Sequence, residues 1–218
     1  MTTPSEPYAL RLNIDYPEKL SRLTTAFRLI LIIPIAIILA VLSATSDSTA
    51  TVLRETGEVV SRATNAGGGI AVALFFATLL MILFRQRYPR WWFDFAREFT
   101  RFENRVGAYA TLLTDTYLST EDEQAVHLEI DYPDAKEDLN RWLPLVKWFL
   151  AIPHYVVLIL LVVGAVFAII ISWFAILFTG RYPRALFDYV VGVIRWGLRV
   201  QAYAFLLVTD SYPPFRLS

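Results

Sequence analysis

The chain has no cysteine and only two histidines among its 218 residues. Without cysteine there can be no disulfide, no thiolate metal ligand and no thiol nucleophile. His127 and His154 are too few to favour a bis-histidine haem or a histidine-rich metal site. Charge is also scarce, since only 18% of residues are charged and the formal net charge is zero. No bulk field attracts nucleic acid, and we expect no cofactor.

Apolar residues are abundant instead. They make up 56% of the chain, with a mean hydropathy of +0.47, whereas globular domains contain about 45–50%. The excess apolar surface needs a partner, and the lipid bilayer is the obvious one. The first apolar run begins near Leu29, behind a mixed polar segment, which is unlike a cleaved signal peptide. We therefore expect this run to be retained.

Several sequence blocks occur twice and in the same order, which predicts a tandem duplication. The expected halves are residues 1–120 and 121–218. The first half carries an additional polar insertion, residues 43–69, which predicts a loop with a short amphipathic helix around 51–62. The paired blocks are LNIDYPEKL (12–20) with LEIDYPDAK (128–136), LIIPIAIILAV (31–41) with LAIPHYVVLIL (150–160), ILFRQRYPRWWFDF (82–95) with ILFTGRYPRALFDY (176–189), and GAYATLLTDTY (107–117) with QAYAFLLVTDSY (201–212).

The apolar runs predict the membrane topology. Leu29–Ala44 and Gly67–Phe84 suit spanning helices in the first half. In the second half, the 24 uncharged residues Tyr155–Phe178 fit either one helix after an interfacial segment or a tight hairpin turning near Gly164, with Lys147 snorkelling to the interface. Because the repeated motifs must lie on one side if the halves share a fold, the repeat favours the hairpin. The predicted fold is an all-α integral membrane protein with four transmembrane helices in two tandem two-helix repeats.

An amphipathic interfacial helix is predicted after each R-Y-P-R motif. Pro89 and Pro183 disfavour helix at the preceding tyrosine and end the second membrane segment of each half. Apolar residues then recur every three or four positions, as on a helix that lies in the interface or under the membrane bundle. The expected apolar stripes are Phe95, Phe99, Phe102, Val106, Tyr109 and Leu113 in the first half, and Phe187, Val190, Val191, Ile194 and Leu198 in the second.

Short cytoplasmic strands are predicted at residues 8–16 and 126–132, because apolar and polar residues alternate there. They can pair with each other or with the segments near 113–118 and 207–212. Arginine-rich segments near both R-Y-P-R motifs place that side in the cytoplasm by the positive-inside rule. The expected location is therefore the bacterial cytoplasmic (inner) membrane, multi-pass, with both termini cytoplasmic.

The repeated arginines are the best candidates for a site. On each predicted helix, one aspartate and two arginines at spacings of seven and eleven share one side. The functional interpretation is contact with a lipid headgroup or a partner, because guanidinium groups bind phosphate bidentately. A solvated helix face with ion pairs is the favoured alternative. The candidates are Arg87, Arg90, Arg101, Arg105, Arg181, Arg184, Arg195 and Arg199, with Asp94 and Asp188 as the aspartates.

No catalytic constellation is visible. Asp15 and Asp131 recur before Tyr-Pro and are interpreted as turn residues rather than a catalytic pair. His154 lies in an apolar segment, where an ionisable residue is a functional hypothesis, but Ile35 occupies the matching place in the first half, which favours a structural role. We find no phosphate-binding loop, no nucleophile elbow and no metal-ligand spacing. We therefore expect a non-enzymatic protein.

The motif set resembles a bacterial membrane-protein family catalogued only as a domain of unknown function. The motifs are I-D-Y-P, I-P-H inside a span, R-Y-P-R-x-L-F-D, and a final T-D-x-Y-P-P-F. The second half looks like a full member, and the first half like a diverged copy that has Trp91 and Trp92 after R-Y-P-R and lacks P-P-F. The resemblance implies a membrane protein with no assigned activity.

These observations lead to two functional expectations. The preferred one is a non-enzymatic integral membrane protein that serves as an accessory subunit or scaffold of a larger membrane complex. Its expected partners are membrane lipids and other integral membrane proteins, not nucleic acid. The alternative is an anionic-lipid-binding or lipid-handling membrane protein that uses the paired arginine-bearing helices. The aromatic residues expected at the membrane interface are Trp91, Trp92, Trp142, Trp148 and Trp196.

Overall fold

The computed structural model describes residues 8–35, 37, 46–53, 59–66, 70–116 and 125–217. These residues form a mainly helical structure with two small antiparallel sheets. The elements are β1 (Leu10–Ile14), α1 (Arg22–Leu31), β2 (Ser46–Leu53), β3 (Val59–Ala66), α2 (Ile70–Leu80, continued by a π-helical turn, Met81–Arg85), α3 (Arg90–Ala110), β4 (Val126–Ile130), α4 (Pro144–Leu150), α5 (Ile152–Thr179) and α6 (Arg184–Ala204).

The two predicted period-two strands are present and pair with each other. β1 and β4 run antiparallel, with Leu12 opposite Leu128 and Asn13 opposite His127. Side chains alternate between the faces of a strand, so Leu12 and Leu128 are buried while Asn13 and His127 are exposed. This pairing joins one strand from each predicted half. The segments near 113–118 and 207–212, where the structure describes them, form no strand.

Where the structure describes the polar insertion, it shows two strands instead of the predicted amphipathic helix. Residues 46–53 and 59–66 form β2 and β3, an antiparallel hairpin in which Ser46 lies opposite Ala66 and Leu53 opposite Val59. Threonine and valine are enriched in strands because their branched side chains favour extended backbone. That preference prevails over the weak helical spacing of the apolar residues.

The prediction of four transmembrane helices was wrong. Among the described residues, α5 is the one helix long and apolar enough to cross a membrane. It continues without interruption through Gly164, where the sequence predicted a hairpin turn. A single glycine is tolerated inside a helix at a cost of about 1 kcal/mol, and no other turn residue stands beside it. α5 ends at Gly180, whose φ of 74° is the left-handed conformation that terminates many helices.

The predicted first span, Leu29–Ala44, begins inside a helix that starts earlier. α1 begins at Arg22, where the Ser21 side chain accepts a hydrogen bond from a backbone N–H of the first turn. Residues 36 and 38–45 of the predicted span lie outside the described part of the chain. The start of α1 is therefore determined by its N-cap, Ser21, and not by the start of the apolar run.

The predicted second span, Gly67–Phe84, corresponds to α2 and its π-helical continuation, with residues 67–69 outside the described part. The apolar helix Val72–Arg85 is too short to qualify as a membrane span. It ends where Gln86 adopts a positive φ of 45°. Two-helix membrane repeats are therefore absent from the described residues.

Both R-Y-P-R motifs start a helix, as predicted. α3 and α6 are 21 residues long, and each begins at the second arginine of its motif with Pro89 or Pro183 as N-cap. The predicted stripe of α6 is largely buried. In α3 the buried face is shifted instead, because Phe93 and Ala96 are buried while Phe95 is 48% exposed.

Helices and strands of the two predicted halves pack against one another. α6 contacts α5 and β1, and α3 contacts β4. α1 contacts α5, where the Trp173 indole N–H donates to the Thr25 carbonyl at 3.1 Å. The backbone N–H of Leu20 donates to the Gly180 carbonyl at 2.9 Å. The main buried core draws on both predicted halves. A smaller buried cluster lies within the second half and consists of Ala151, Trp196, Val200, Tyr203 and Ala204.

Candidate functional site

The candidate arginines fall into three groups according to what they contact. Arg101 and Arg195 occupy corresponding places on α3 and α6 and bind strand carbonyls. The Arg101 Nε–H donates to the Leu128 carbonyl at 3.0 Å, and the Arg195 Nε–H donates to the Leu12 carbonyl at 3.1 Å. Each helix thus holds the strand of the other half.

Arg90 and Arg184, the second arginines of the motifs, lie over tyrosine rings. The Arg90 guanidinium is 5.0 Å from the ring centroid of Tyr132, and that of Arg184 is 4.5 Å from the ring of Tyr16. Such cation–π contacts contribute about 0.5–1 kcal/mol at exposed sites. Arg184 also forms an ion pair with Asp188 at 3.2 Å. These two arginines therefore contact the D-Y-P segment of the opposite half.

The motif tyrosines complete this exchange. The Tyr16 hydroxyl donates to the Tyr182 carbonyl, and the Tyr132 hydroxyl donates to the Tyr88 carbonyl, both at 2.5 Å. In each case a D-Y-P tyrosine of one half binds the R-Y-P-R tyrosine of the other. We call these contacts, together with the Arg90 and Arg184 stacking, the exchanged clasp.

Arg105 and Arg199 form the second group, and each lies five residues before the end of its helix, α3 or α6. Arg199 is buried and donates to the Arg216 carbonyl at 3.3 Å. Burial lowers the pKa of Arg199, as do the neighbouring charges of Arg216 and Arg195. Arg105 is half-buried. Arg199 is therefore a structural cation in the second half.

Arg87 and Arg181, the first arginines of the motifs, are exposed. Arg87 lies with Lys136 and Asp134 at the edge of an open cavity of about 530 Å³. The backbone N–H of Arg181 donates to the Thr179 hydroxyl at 3.2 Å. The eight candidates thus divide into four arginines that bind a strand carbonyl or stack on a tyrosine, two deeper arginines, and two exposed arginines whose side chains form no hydrogen bond or ion pair with a described residue.

The candidate aspartates pair locally. Asp94 binds Arg97 at 3.2 Å, rather than an arginine further along α3. Asp131 accepts two hydrogen bonds from Arg11, at 2.7 and 2.9 Å. Asp15 lies 3.1 Å from His127. Asp15 and Asp131 follow directly after β1 and β4 and contact the neighbouring strand. This placement gives both a role at the strand ends.

Two buried cations were not recognised from the sequence as internal ion pairs. Lys147 on α4 is fully buried instead of snorkelling, and it binds Asp210 at 2.6 Å and the Thr209 carbonyl at 2.7 Å. Burial lowers the pKa of Lys147, and Asp210 opposes that shift. Arg28 on α1 likewise pairs with Asp115. The signal available in the sequence was the repeated T-D before the end of each half, which supplies both carboxylates.

His154 is enclosed by aromatic rings at the start of α5. The Trp196 indole N–H donates to His154 Nδ1 at 3.0 Å, so the imidazole is neutral with its proton on Nε2. The Phe215 ring stacks on it with centroids 4.0 Å apart. His154 is fully buried, and Nε2 has no hydrogen-bond partner among the described residues. These contacts favour the structural interpretation, and they also place Trp196 inside the protein instead of at an interface.

A cavity of about 610 Å³ lies between α2, α3, α5 and α6. We call it the Glu103 cavity, after the carboxylic acid in its wall. Most of its lining is apolar, and the polar exceptions include Tyr155 and Gln201. The Tyr155 hydroxyl is buried and has no hydrogen-bond partner among the described residues. Burial raises the pKa of Glu103. Pockets of roughly 300–1,000 Å³ with a few polar groups are the usual form of small-molecule sites.

The sequence prediction missed this cavity, although the repeat contains a signal for it. When the two motifs are aligned, Glu103 on α3 corresponds to Gly197 on α6, and both line the cavity. A Cβ atom added at Gly197 would meet nothing within 4 Å. The two copies of the repeat therefore differ at this position, with an acid in one and a glycine in the other, and the position borders the cavity.

Metal chemistry has no visible basis within the described residues, where no three His, Asp or Glu side chains are grouped so that they could hold a metal ion. The expectation that the chain uses no cofactor stays a prediction.

Comparison with known proteins adds one finding. A family model described as a domain of unknown function (DUF4389) matches residues 142–216, which contain α4, α5, α6 and the C-terminal segment, residues 205–217. No curated protein and no solved structure matches the chain. The match supports the expected likeness to a domain of unknown function in the second half. The tandem duplication stays a prediction.

Proposed function

We propose that this chain is a non-enzymatic membrane protein, inserted through α5, that acts as an accessory subunit or scaffold of a larger membrane complex. The observation that carries the proposal is the exposure of α5. Only 17% of its most apolar 18-residue window is buried. Leu160 and Phe178 are 70% and 78% exposed. Soluble proteins rarely expose an apolar patch of this extent, and a bilayer would cover it.

The length and flanks of α5 support insertion. Twenty-eight residues at about 1.5 Å per residue exceed the roughly 30 Å of a bilayer core. Trp142 and Trp148, 66% and 52% exposed, precede the helix, while Arg181 and Arg184 follow it. Exposed tryptophan and arginine side chains suit the two interfaces. The arginines favour a cytoplasmic location for the end of α5 in a bacterial inner membrane.

A scaffold role is supported by the contacts that the repeated arginines make within the chain. Arg101, Arg195 and Arg199 donate hydrogen bonds to backbone carbonyls, so these side chains serve the fold. Among the eight candidate arginines, Arg87 and Arg181 are exposed and form no side-chain hydrogen bond or ion pair with a described residue, so they are the candidates for binding an anionic lipid, which is the alternative function. That alternative therefore rests on the first arginine of each motif.

The first experiment is extraction of the full chain from native membranes. We expect it to resist alkaline carbonate, to dissolve in mild detergent and to co-purify with a stoichiometric integral membrane protein, as measured by mass spectrometry of proteins and lipids. Release by carbonate would contradict insertion, and a lone monomer in mild detergent would contradict the scaffold role. An anionic lipid retained by the wild type and lost from Arg87→Glu/Arg181→Glu would establish the alternative. Asp94→Ala on α3 is the control.

A further inference from the structure

We propose that the Glu103 cavity binds an uncharged lipid with a single acyl chain and a hydroxyl-bearing head, of the monoacylglycerol type. This site goes beyond the scaffold role. It rests on the proposed membrane insertion in one respect, since the lipid would enter from the bilayer. The proposal is carried by the volume of the cavity, by its apolar lining and by the two polar side chains Glu103 and Gln201 in its wall.

The apolar part of the cavity suits an acyl chain. Phe75 on α2, Phe99 on α3, Leu158 on α5 and Val200 on α6 each contribute to its wall. One wall thus belongs to the helix that would lie in the bilayer. Phe76, which also lines the cavity, is 56% exposed, so the apolar lining continues to the outer surface. A chain that leaves the bilayer sideways would remain in apolar surroundings.

The polar part of the cavity suits a hydroxyl head. The Tyr155 hydroxyl is fully enclosed, so a ligand in the cavity meets the ring of Tyr155 and not its hydroxyl. Glu103 and Gln201 line the cavity; Glu103 forms no ion pair with a described residue, and the Gln201 amide both donates and accepts. A lipid hydroxyl can donate to Glu103 and accept from the Gln201 amide.

The charge of the lining selects the head. Among the described residues that line the cavity, Glu103 is acidic and none is basic. A carboxylate or phosphate head would be repelled by Glu103 and would find no cation. An ammonium head offers no acceptor for the N–H groups of the Gln201 amide. Burial also raises the pKa of Glu103, which disfavours the charged form that an ammonium would need.

Gly197 allows the cavity to be filled without disturbing the fold. A side chain there would extend into open space, since a Cβ meets nothing within 4 Å. Gly107 on α3 provides a matched control, because it too has nothing within 4 Å of an added Cβ but does not line the cavity. Gly197→Leu and Gly107→Leu therefore make the same change in two helices, and one of them reduces the cavity volume.

The test uses the full chain in phosphatidylcholine vesicles that contain a monoacylglycerol with a photoactivatable diazirine in its chain. We expect crosslinks near Phe99 and Val200, at least a tenfold loss of labelling in Gly197→Leu, and wild-type labelling in Gly107→Leu. Diazirine forms of a fatty acid and of a long-chain amine serve as charged probes at pH 8. Equal labelling of wild type and Gly197→Leu, or stronger labelling by either charged probe, would overturn the proposal.

A second variant isolates the head contact. Gln201→Leu removes the amide and keeps a side chain of similar size, and we expect roughly a three- to tenfold loss of labelling, the effect of one hydrogen bond. Unchanged labelling in Gln201→Leu would contradict the assigned head position. Carbonate extraction of each variant separates the two proposals. Protein that carbonate releases has failed to insert into the membrane, which contradicts the proposed function. Protein that stays in the membrane but is labelled equally in wild type and Gly197→Leu contradicts lipid binding in this cavity.

Discussion

At the scale of single residues, the buried cations Arg28 and Lys147 hold α1 and α4 against the C-terminal ends of α3 and α6. Lys147 lies 5.2 Å from the ring centroid of Tyr203, and Arg28 lies 4.5 Å from that of Tyr109. A buried charge is costly unless it is paired and hydrogen-bonded. The ion pair with Asp210 and the Thr209 carbonyl meet this requirement for Lys147.

Removing Lys147 should therefore destabilise the protein strongly. We expect Lys147→Met to lower the free energy of unfolding by about 3 kcal/mol, because Asp210 is left without its cation. Lys147→Met/Asp210→Asn should recover more than half of that loss, since the second change removes the unpaired charge. The measurement is unfolding in detergent by titration with dodecyl sulfate, followed by circular dichroism. Lys136→Met, at an exposed site, is the control, and a loss as small as the control's would contradict the pairing.

The same pair gives a defined pH dependence. Burial holds the pKa of Lys147 below its ordinary value, so the unfolded chain binds more protons between the folded pKa and about 10.4. The free energy of unfolding should thus rise with pH across this window and level off below the folded pKa, where both states bind the proton. The free energy of unfolding of Lys147→Met should lack this part of the pH dependence when wild type and variant are unfolded with dodecyl sulfate at a series of pH values.

Sequence reasoning at this scale identified repeated residues but not their partners. The recurrence of Arg101 and Arg195 correctly marked two corresponding positions, and the lipid-contact hypothesis for them stays a prediction. Their observed acceptors, the carbonyls of Leu128 and Leu12, are backbone atoms in the other half. Backbone carbonyls carry no side-chain signature, so the spacing of arginines cannot reveal them.

At the scale of elements, the packing of α6 on α5 depends on Gly164. The Tyr189 hydroxyl donates to the Leu161 carbonyl at 2.9 Å. A Cβ atom at Gly164 would lie 2.5 Å from that hydroxyl oxygen, far inside van der Waals contact. The glycine therefore serves a close approach of two helices, as small residues do in membrane-embedded packing.

A double-mutant cycle tests this contact. We expect Gly164→Ala to cost about 2 kcal/mol through overpacking, and Tyr189→Phe about 1 kcal/mol through the lost hydrogen bond. The double variant should cost little more than Tyr189→Phe alone, because the clashing oxygen is gone. Dodecyl sulfate titration of the four chains measures the coupling.

Gly197→Ala is the matched control, since the space beside it is open. It should be neutral or stabilising by up to about 1 kcal/mol through helix propensity. Strict additivity of Gly164→Ala and Tyr189→Phe would show that the hydroxyl does not approach the glycine.

The same glycine explains where prediction of elements failed. The helices after R-Y-P-R were correctly predicted, because proline at the start and a 3.6-residue apolar period are local signals. The hairpin near Gly164 was instead predicted from the repeat, although the local sequence, with few turn residues, favoured a continuous helix. Apart from Gly164, the range Tyr155–Phe178 contains only Ser172 among the residues that favour turns. The need for glycine at position 164 arises from Tyr189, which lies on another helix.

At the scale of the whole molecule, the described chain is held together by exchange between its halves. β1 pairs with β4, Arg101 and Arg195 reach across, and the exchanged clasp joins the motif tyrosines in both directions. The repeat could predict two similar halves but not the contacts between them. The sequence alone does not show whether each strand or arginine pairs within its own half or with the other half. The exchange has a direct consequence for how the chain folds.

Neither half should fold alone, and the two should assemble when expressed together. Residues 121–218 without the first half leave β4 unpaired and Arg195 without the Leu12 carbonyl. We expect tagged 121–218 expressed alone to be degraded or aggregated, and the same fragment co-expressed with 1–120 to purify as a 1:1 complex. Affinity purification followed by size-exclusion chromatography in mild detergent measures both outcomes.

Two substitutions on β1 separate specific strand pairing from general apolar association. Leu12→Lys places a charge on the buried face of the sheet, and it should abolish co-purification, because an unpaired charge there costs several kcal/mol. Asn13→Lys places the same charge on the exposed face of the same strand, so it should leave the complex intact. If residues 121–218 purified alone as a folded monomer, or if both lysine variants still assembled, the halves would be independent units and the exchange would not hold the fold together.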